Sequence, residues 1–189
     1  YARPLCLVGS EMCIRDSPTG AQLAAINDAA GGTITLNANG QAFTGTAAQM
    51  KSAFAGGLAG TQTGAVKISD TTGTIAATTL TDITAQTDGT VTAAAGGITI
   101  EGTTEEVTAA IVTGGTKAVM ANGAVRLTDT GTVAATVLSG IGGTTGGTVT
   151  VVGAMTITGS TEEITNALVT EASKVIATTS ANAVSYTHL

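Results

Sequence analysis

Apolar residues are spread thinly along this chain, and their spacing switches between two periods. At Ala76, Leu80 and Ile83, and again at Ala134, Leu138 and Ile141, they fall at i, i+4 and i+7, the stripe of a short amphipathic helix. Leu23 and Ile26 give a shorter version of the same stripe near the start of the chain. After each of these stretches the period drops to two. Ile34 and Leu36, Val91 and Ala93, and Val149 and Val151 alternate with threonine, which predicts strands with one inward face. Next comes a strand holding Phe43, or Ile98 and Ile100, or Met155 and Ile157, and later a third holding Val66 and Ile68, or Val125 and Leu127. The glycines after the first helix, Gly31-Gly32, Gly89 and Gly146-Gly147, stand where a left-handed residue would end it. Threonines Thr78, Thr79, Thr81 and Thr84 are weak helix formers, so that helix must be held by packing rather than propensity.

A second helix announces itself through its first turn. Thr46 with Gln49, Thr103 with Glu106, and Ser160 with Glu163 each satisfy the capping box, in which the hydroxyl takes the N3 amide and the N3 side chain reaches back to the cap amide. The predicted buried faces are Met50, Ala53 and Phe54; Val107, Ala110 and Ile111; and Ile164, Ala167 and Leu168. Gly56-Gly57 and Gly114-Gly115 stop the first two helices.

These segments recur at a fixed interval. Leu23 matches Leu80 and Leu138, and Phe43 matches Ile100 and Ile157, in register throughout, as a repeat array requires. Val66-Lys67-Ile68-Ser69-Asp70 returns as Val125-Arg126-Leu127-Thr128-Asp129. The chain therefore divides into a truncated first copy at 18–64, a second at 65–123 and a third at 124–183. Each unit reads as strand, helix, strand pair, helix, with too few large aliphatics to fold alone, so stability has to come from neighbours. The expected fold class is an α/β repeat solenoid of stacked units of about 58 residues, with parallel strands and short helices and with like segments lying over like segments. An all-β solenoid, in which the threonine-rich helix is an extended turn, is the alternative.

The two ends stand outside the repeat. Residues 7–17, LVGSEMCIRDS, resemble the translation of an adapter used in transposon-based sequencing libraries, and 184–189, VSYTHL, resemble the translation of its reverse complement. On that resemblance 1–17 and 184–189 are adapter-derived and non-native, 1–6 by position only, and the chain is a metagenomic fragment. Setting them aside changes the chemistry, because Cys6, Cys13, Tyr1, Tyr186 and His188 all lie there. The rest has no Cys, His, Tyr or Trp, and five cations stand against eleven carboxylates, leaving the balance at the −6 of the whole chain. Scattered cations on an acidic chain give no stripe for phosphates, which argues against nucleic-acid binding. No apolar run approaches the roughly 18 residues of a membrane span.

Candidate chemistry is confined to carboxylates. The pairs Glu105-Glu106 and Glu162-Glu163 are explained by the capping box and the positive end of the helix dipole. Asp70 and Asp129 each follow a strand and precede a Thr/Gly turn, as an Asx turn requires; calcium ligation is the alternative, although one carboxylate per repeat is too few for it. Asp28, Asp82, Asp88 and Glu101 show no second partner along the sequence. No catalytic, cofactor-binding or metal-ligating residue is assigned, and the expectation is of a protein that is not an enzyme and carries no cofactor.

The runs T-D-T-G-T-V-A-A-T-x-L at 128–138 and G-S-T-E-E-I at 159–164 resemble the tandem Gly/Thr/Ala-rich strand repeats of very large bacterial surface and secreted proteins, of the adhesin and surface-layer kind. The resemblance implies an extracellular or cell-surface structural module, a stalk or adhesive array. Its partners would be neighbouring repeats of the parent chain and, for an adhesive array, a surface glycan or another cell surface. Two alternatives accompany it. A calcium-stabilised secreted repeat is one. Binding of ice or another ordered surface is the other, through stacked rows of Thr33/Thr35, Thr90/Thr92 and Thr148/Thr150 at the strand spacing of about 4.7–4.9 Å.

Overall fold

The computed structural model describes residues 6–8, 11–13, 18–29, 33–36, 40–55, 57–93, 95–113, 118–178 and 181–185. In chain order the elements are β1 (Cys6–Val8), β2 (Glu11–Cys13), α1 (Gly20–Ala29), β3 (Phe43–Gly45), α2 (Ala47–Ala55), β4 (Val66–Ile68), β5 (Thr72–Ala76) and α3 (Ala77–Thr84). They continue with β6 (Val91–Thr92), β7 (Gly97–Gly102), α4 (Thr104–Val107) running into a π-helical segment (Thr108–Thr113), β8 (Ala118–Val119), β9 (Ala124–Leu127), β10 (Thr132–Ala134) and α5 (Ala135–Thr144). The last are β11 (Val149–Val151), β12 (Thr156–Gly159), α6 (Thr161–Leu168), a 3₁₀ turn (Glu171–Ser173), β13 (Val175–Ala177) and β14 (Asn182–Ser185). The fold is mixed α/β, and α3 and α5 are helices, so the all-β alternative falls.

β1 and β2 form an antiparallel ribbon, and every other pairing among the described strands is parallel. Three parallel sheets result, in the orders β3-β4-β6-β8, β5-β7-β9-β11-β13 and β10-β12-β14. Phe43 faces Val66, Val66 faces Val91, and Val91 faces Ala118, so each strand pairs with one a single circuit of chain further on. A helix lies in each circuit, as parallel strands require of their crossovers. The helices stack in sequence order, α1 on α2 and so on to α6.

This register corrects the expectation that equivalent segments of successive copies lie over one another. Val91 sits between Val66 and Ala118 in the first parallel sheet, whereas Val149 sits between Val125 and Val175 in the second. The stacking period is thus less than half the sequence period. What the sequence interval does is carry one sheet onto the next. Thr19, Thr44, Lys67, Thr92 and Val119 are linked in the first; their equivalents Ala76, Glu101, Arg126, Thr150 and Ile176 are linked in the second. Ala134, Thr158 and Val184 begin the same series in the third. Leu23, Leu80 and Leu138 accordingly occupy alternate helices of the stack, each fully buried in one continuous core.

Local predictions fare well where the signal is a face. Met50, Ala53 and Phe54 are buried under α2, with Phe54 edge-on to Phe43 at 5.6 Å. On α3 and α5 the stripe begins one residue later than expected: Ala76 and Ala134 are exposed N-caps, and the inward positions are Ala77, Leu80, Ile83 and Ala135, Leu138, Ile141. Ile34 and Leu36 are buried, Ile34 through an isolated bridge to Leu58. β5 and β10 are strands that the sequence pattern does not predict.

The glycines divide into two kinds. Gly57, just after α2, has φ of +89°, as a helix stop should; Gly114 and Gly115 lie outside the described residues. Gly89, Gly146 and Gly147 lack positive φ, which corrects their reading as left-handed caps. At Gly89 a β-carbon would fall on the Gly64 carbonyl, and at Gly147 on that of Gly123. Those positions are bare because backbone passes over backbone.

Candidate functional site

The polar groups that the fold gathers lie mainly at the helix starts. Thr103 accepts from the Glu106 amide (3.2 Å) while the Glu106 carboxylate accepts from the Thr103 amide (2.8 Å); Ser160 and Glu163 repeat this at 3.3 and 2.7 Å, and Thr46 and Gln49 at 3.2 and 3.0 Å. A fourth box, Thr19 with Gln22, opens α1 on a T-x-x-Q signal that the sequence reading leaves out.

Asp70 and Asp129 complete two of these starts from a distance. The Asp129 carboxylate accepts from the Thr104 amide at 2.6 Å and the Thr104 hydroxyl at 2.7 Å, and Asp70 accepts from the Ala47 amide at 2.7 Å. The expected Asx turn is therefore replaced by a reach to the helix one level back, where the first-turn amide and the helix dipole favour an anion. Each of these two starts has its cap, N1 and N3 amides satisfied by side chains. No local pattern reveals this, because donor and acceptor stand one full circuit of the chain apart.

Beside this clamp lies an open groove of about 600 Å³ between α4 and β10, walled by Thr104, Glu105, Thr108, Asp129, Val133 and Val137. A smaller one of about 270 Å³ includes Lys67, Asp70 and Thr92. Among the described residues no group of three His, Cys, Asp or Glu stands close enough to share a metal ion. The remaining acids are more engaged than the sequence suggested: Asp82 pairs with Lys51 at 2.7 Å, and Glu101 with Arg126 on the neighbouring strand. Both pairs are well exposed, and such pairs contribute roughly 0–1 kcal/mol.

The threonine rows are dispersed by the register. Thr92 lies between Lys67 and Val119, and Thr150 between Arg126 and Ile176, so the Thr-x-Thr pairs of different copies do not stack. Thr35 follows Ile34, which bridges Leu58, outside the strands that hold Thr92 and Thr150. The threonines that matter structurally are others. Thr87, fully buried, donates to the Gln62 and Gly64 carbonyls and accepts from the Gly89 amide; Thr145 in the same way donates to the Gly123 carbonyl and accepts from the Gly147 amide. This Thr-x-Gly clasp recurs at the repeat interval, a signal hidden among many threonines.

No helix is long and apolar enough to cross a membrane among the described residues. No family model, characterised protein or solved structure matches the chain.

Proposed function

We propose that the chain is a stretch of α/β solenoid serving as a structural repeat module, a stalk or adhesive array, of a large extracellular or cell-surface bacterial protein, with no catalysis of its own. One observation carries this reading: a single series of strand pairings recurs in successive sheets at the repeat interval, a scheme that extends by adding units without redesign. In this reading each unit contributes two helices and a further strand position, so the helix stack drifts around the strand stacks by one sheet per unit. The small residues suit it. Glycine and threonine at the crossings allow thin levels in close backbone contact, and the acidic surface suits a long soluble rod.

Scattering from chains of three, five and seven units, made by inserting copies of 65–123 after Gly123, tests the reading. The expected result is a constant cross-section with length rising about 10 Å per unit, from just over two strand spacings of about 4.7–4.9 Å. A cross-section that swells with copy number removes it.

A further inference from the structure

We propose that the end face formed by α6 and the outer edge of β14, the last strand of its sheet among the described residues, is a docking surface for one further copy of the unit, joined in the same chain. The inference rests on the solenoid reading. Its argument is a comparison of two equivalent helices within one molecule. On α4 and its π continuation, Val107 and Ile111 are 0% and 1% exposed, and α5 is stacked over them. Their counterparts one repeat later on α6, Ile164 and Leu168, are only partly buried, although Ala167 is as buried as its counterpart Ala110. Just beyond, Val169 is 74% exposed where Val112 packs against the core. Helix α6 thus has the seam that faces inward and lacks the cover that α5 supplies to α4.

The strands point to the same occupant. The second parallel sheet has five strands, and β11 follows β9 in it; the third has three and, among the described residues, ends on β14, whose Asn182 and Ala183 belong to the repeat and match Ala124 and Val125 of β9. A strand of the Thr148-Val149-Thr150-Val151 type is what that edge receives in the established pairing. Ile176 does not belong to the face. Although 54% exposed, it matches Val119, which is 41% exposed on the last strand of a sheet already followed by further levels.

Inserting a copy of 126–183 after Ala183 of the full chain, which keeps the repeat in register, tests the proposal by hydrogen exchange and scattering. Amides of 161–168 are expected to exchange roughly tenfold more slowly or better, and Leu168→Ala to lower the melting temperature more in the extended chain than in the original. Unchanged exchange in α6 with a longer particle of constant cross-section overturns the docking proposal and leaves the solenoid reading standing. A slow-exchanging α6 inside a swollen, compact particle overturns the solenoid reading and the proposal with it. Slow exchange in the unextended chain with doubled mass by light scattering gives the face to a second copy of the chain, and also overturns it. An insert of 67–125 at the same point guards against misfolding of the first; failure of both to melt cooperatively counts against the proposal, because a face built for the unit accepts either copy.

Discussion

Single residues hold adjacent levels together through backbone groups rather than through large side chains. Asp129 is the clearest case, since its carboxylate serves both the amide and the hydroxyl of Thr104. Asp129→Ala is expected to lower stability by about 1.5–3 kcal/mol, the range for hydrogen bonds to a charged group, with a fall in the urea midpoint as the readout. An unmoved midpoint would show that the clamp is idle. Glycines separate by environment. Gly89→Ala sets a methyl against the Gly64 carbonyl and is expected to cost more than about 3 kcal/mol, whereas Gly140→Ala, within α5 and with open space around it, should add roughly 0.5–1 kcal/mol. Equal melting temperatures for the two variants would refute the crossing-backbone account. The sequence displayed both glycines alike, because neither a clash nor its absence leaves a local trace.

Among elements, the helices owe their existence to being stacked. α3 is rich in threonine, yet Leu80 and Ile83 on its inner side are fully buried. Leu80→Ala is therefore expected to cost about 2–5 kcal/mol, while Leu168→Ala, on the half-covered α6, should cost less than about 2 kcal/mol; thermal melts of the pair decide. Capping boxes were legible because all their bonds fall within one turn of chain. β5 and β10 were not, since each turns a single aliphatic inward, Ile75 or Val133, and one residue makes no alternation.

At the scale of the molecule, the mismatch between the sequence unit and a pairing interval less than half as long governs which changes in length are tolerated. Deleting 65–123 removes one whole unit, and Ala124-Val125-Arg126-Leu127 then supplies, in register, the strand that Phe43 needs. A cooperative melt at reduced temperature is expected. Deleting 65–93, about half as much chain, places Ala95 and Gly97 in the inward positions of Val66 and Ile68 and turns Ile98 outward, the one-residue slip that strand pairing tolerates least. That variant is expected to lose its cooperative transition; circular dichroism melts of the two deletions, with the shorter one melting as sharply as the parent, would contradict this.

What the amino-acid order determined by itself was short in reach: most of the inward faces, three of the four capping boxes, the stop at Gly57, and the recurrence of one unit. Only the tertiary structure decided what lies over what. Pairing register depends on how much chain a full circuit from strand through helix to strand consumes, and a repeat in sequence need not close on a whole number of circuits. Here it does not, so each copy arrives one sheet further round, separating the threonine rows and putting Asp129 on a helix one circuit behind it.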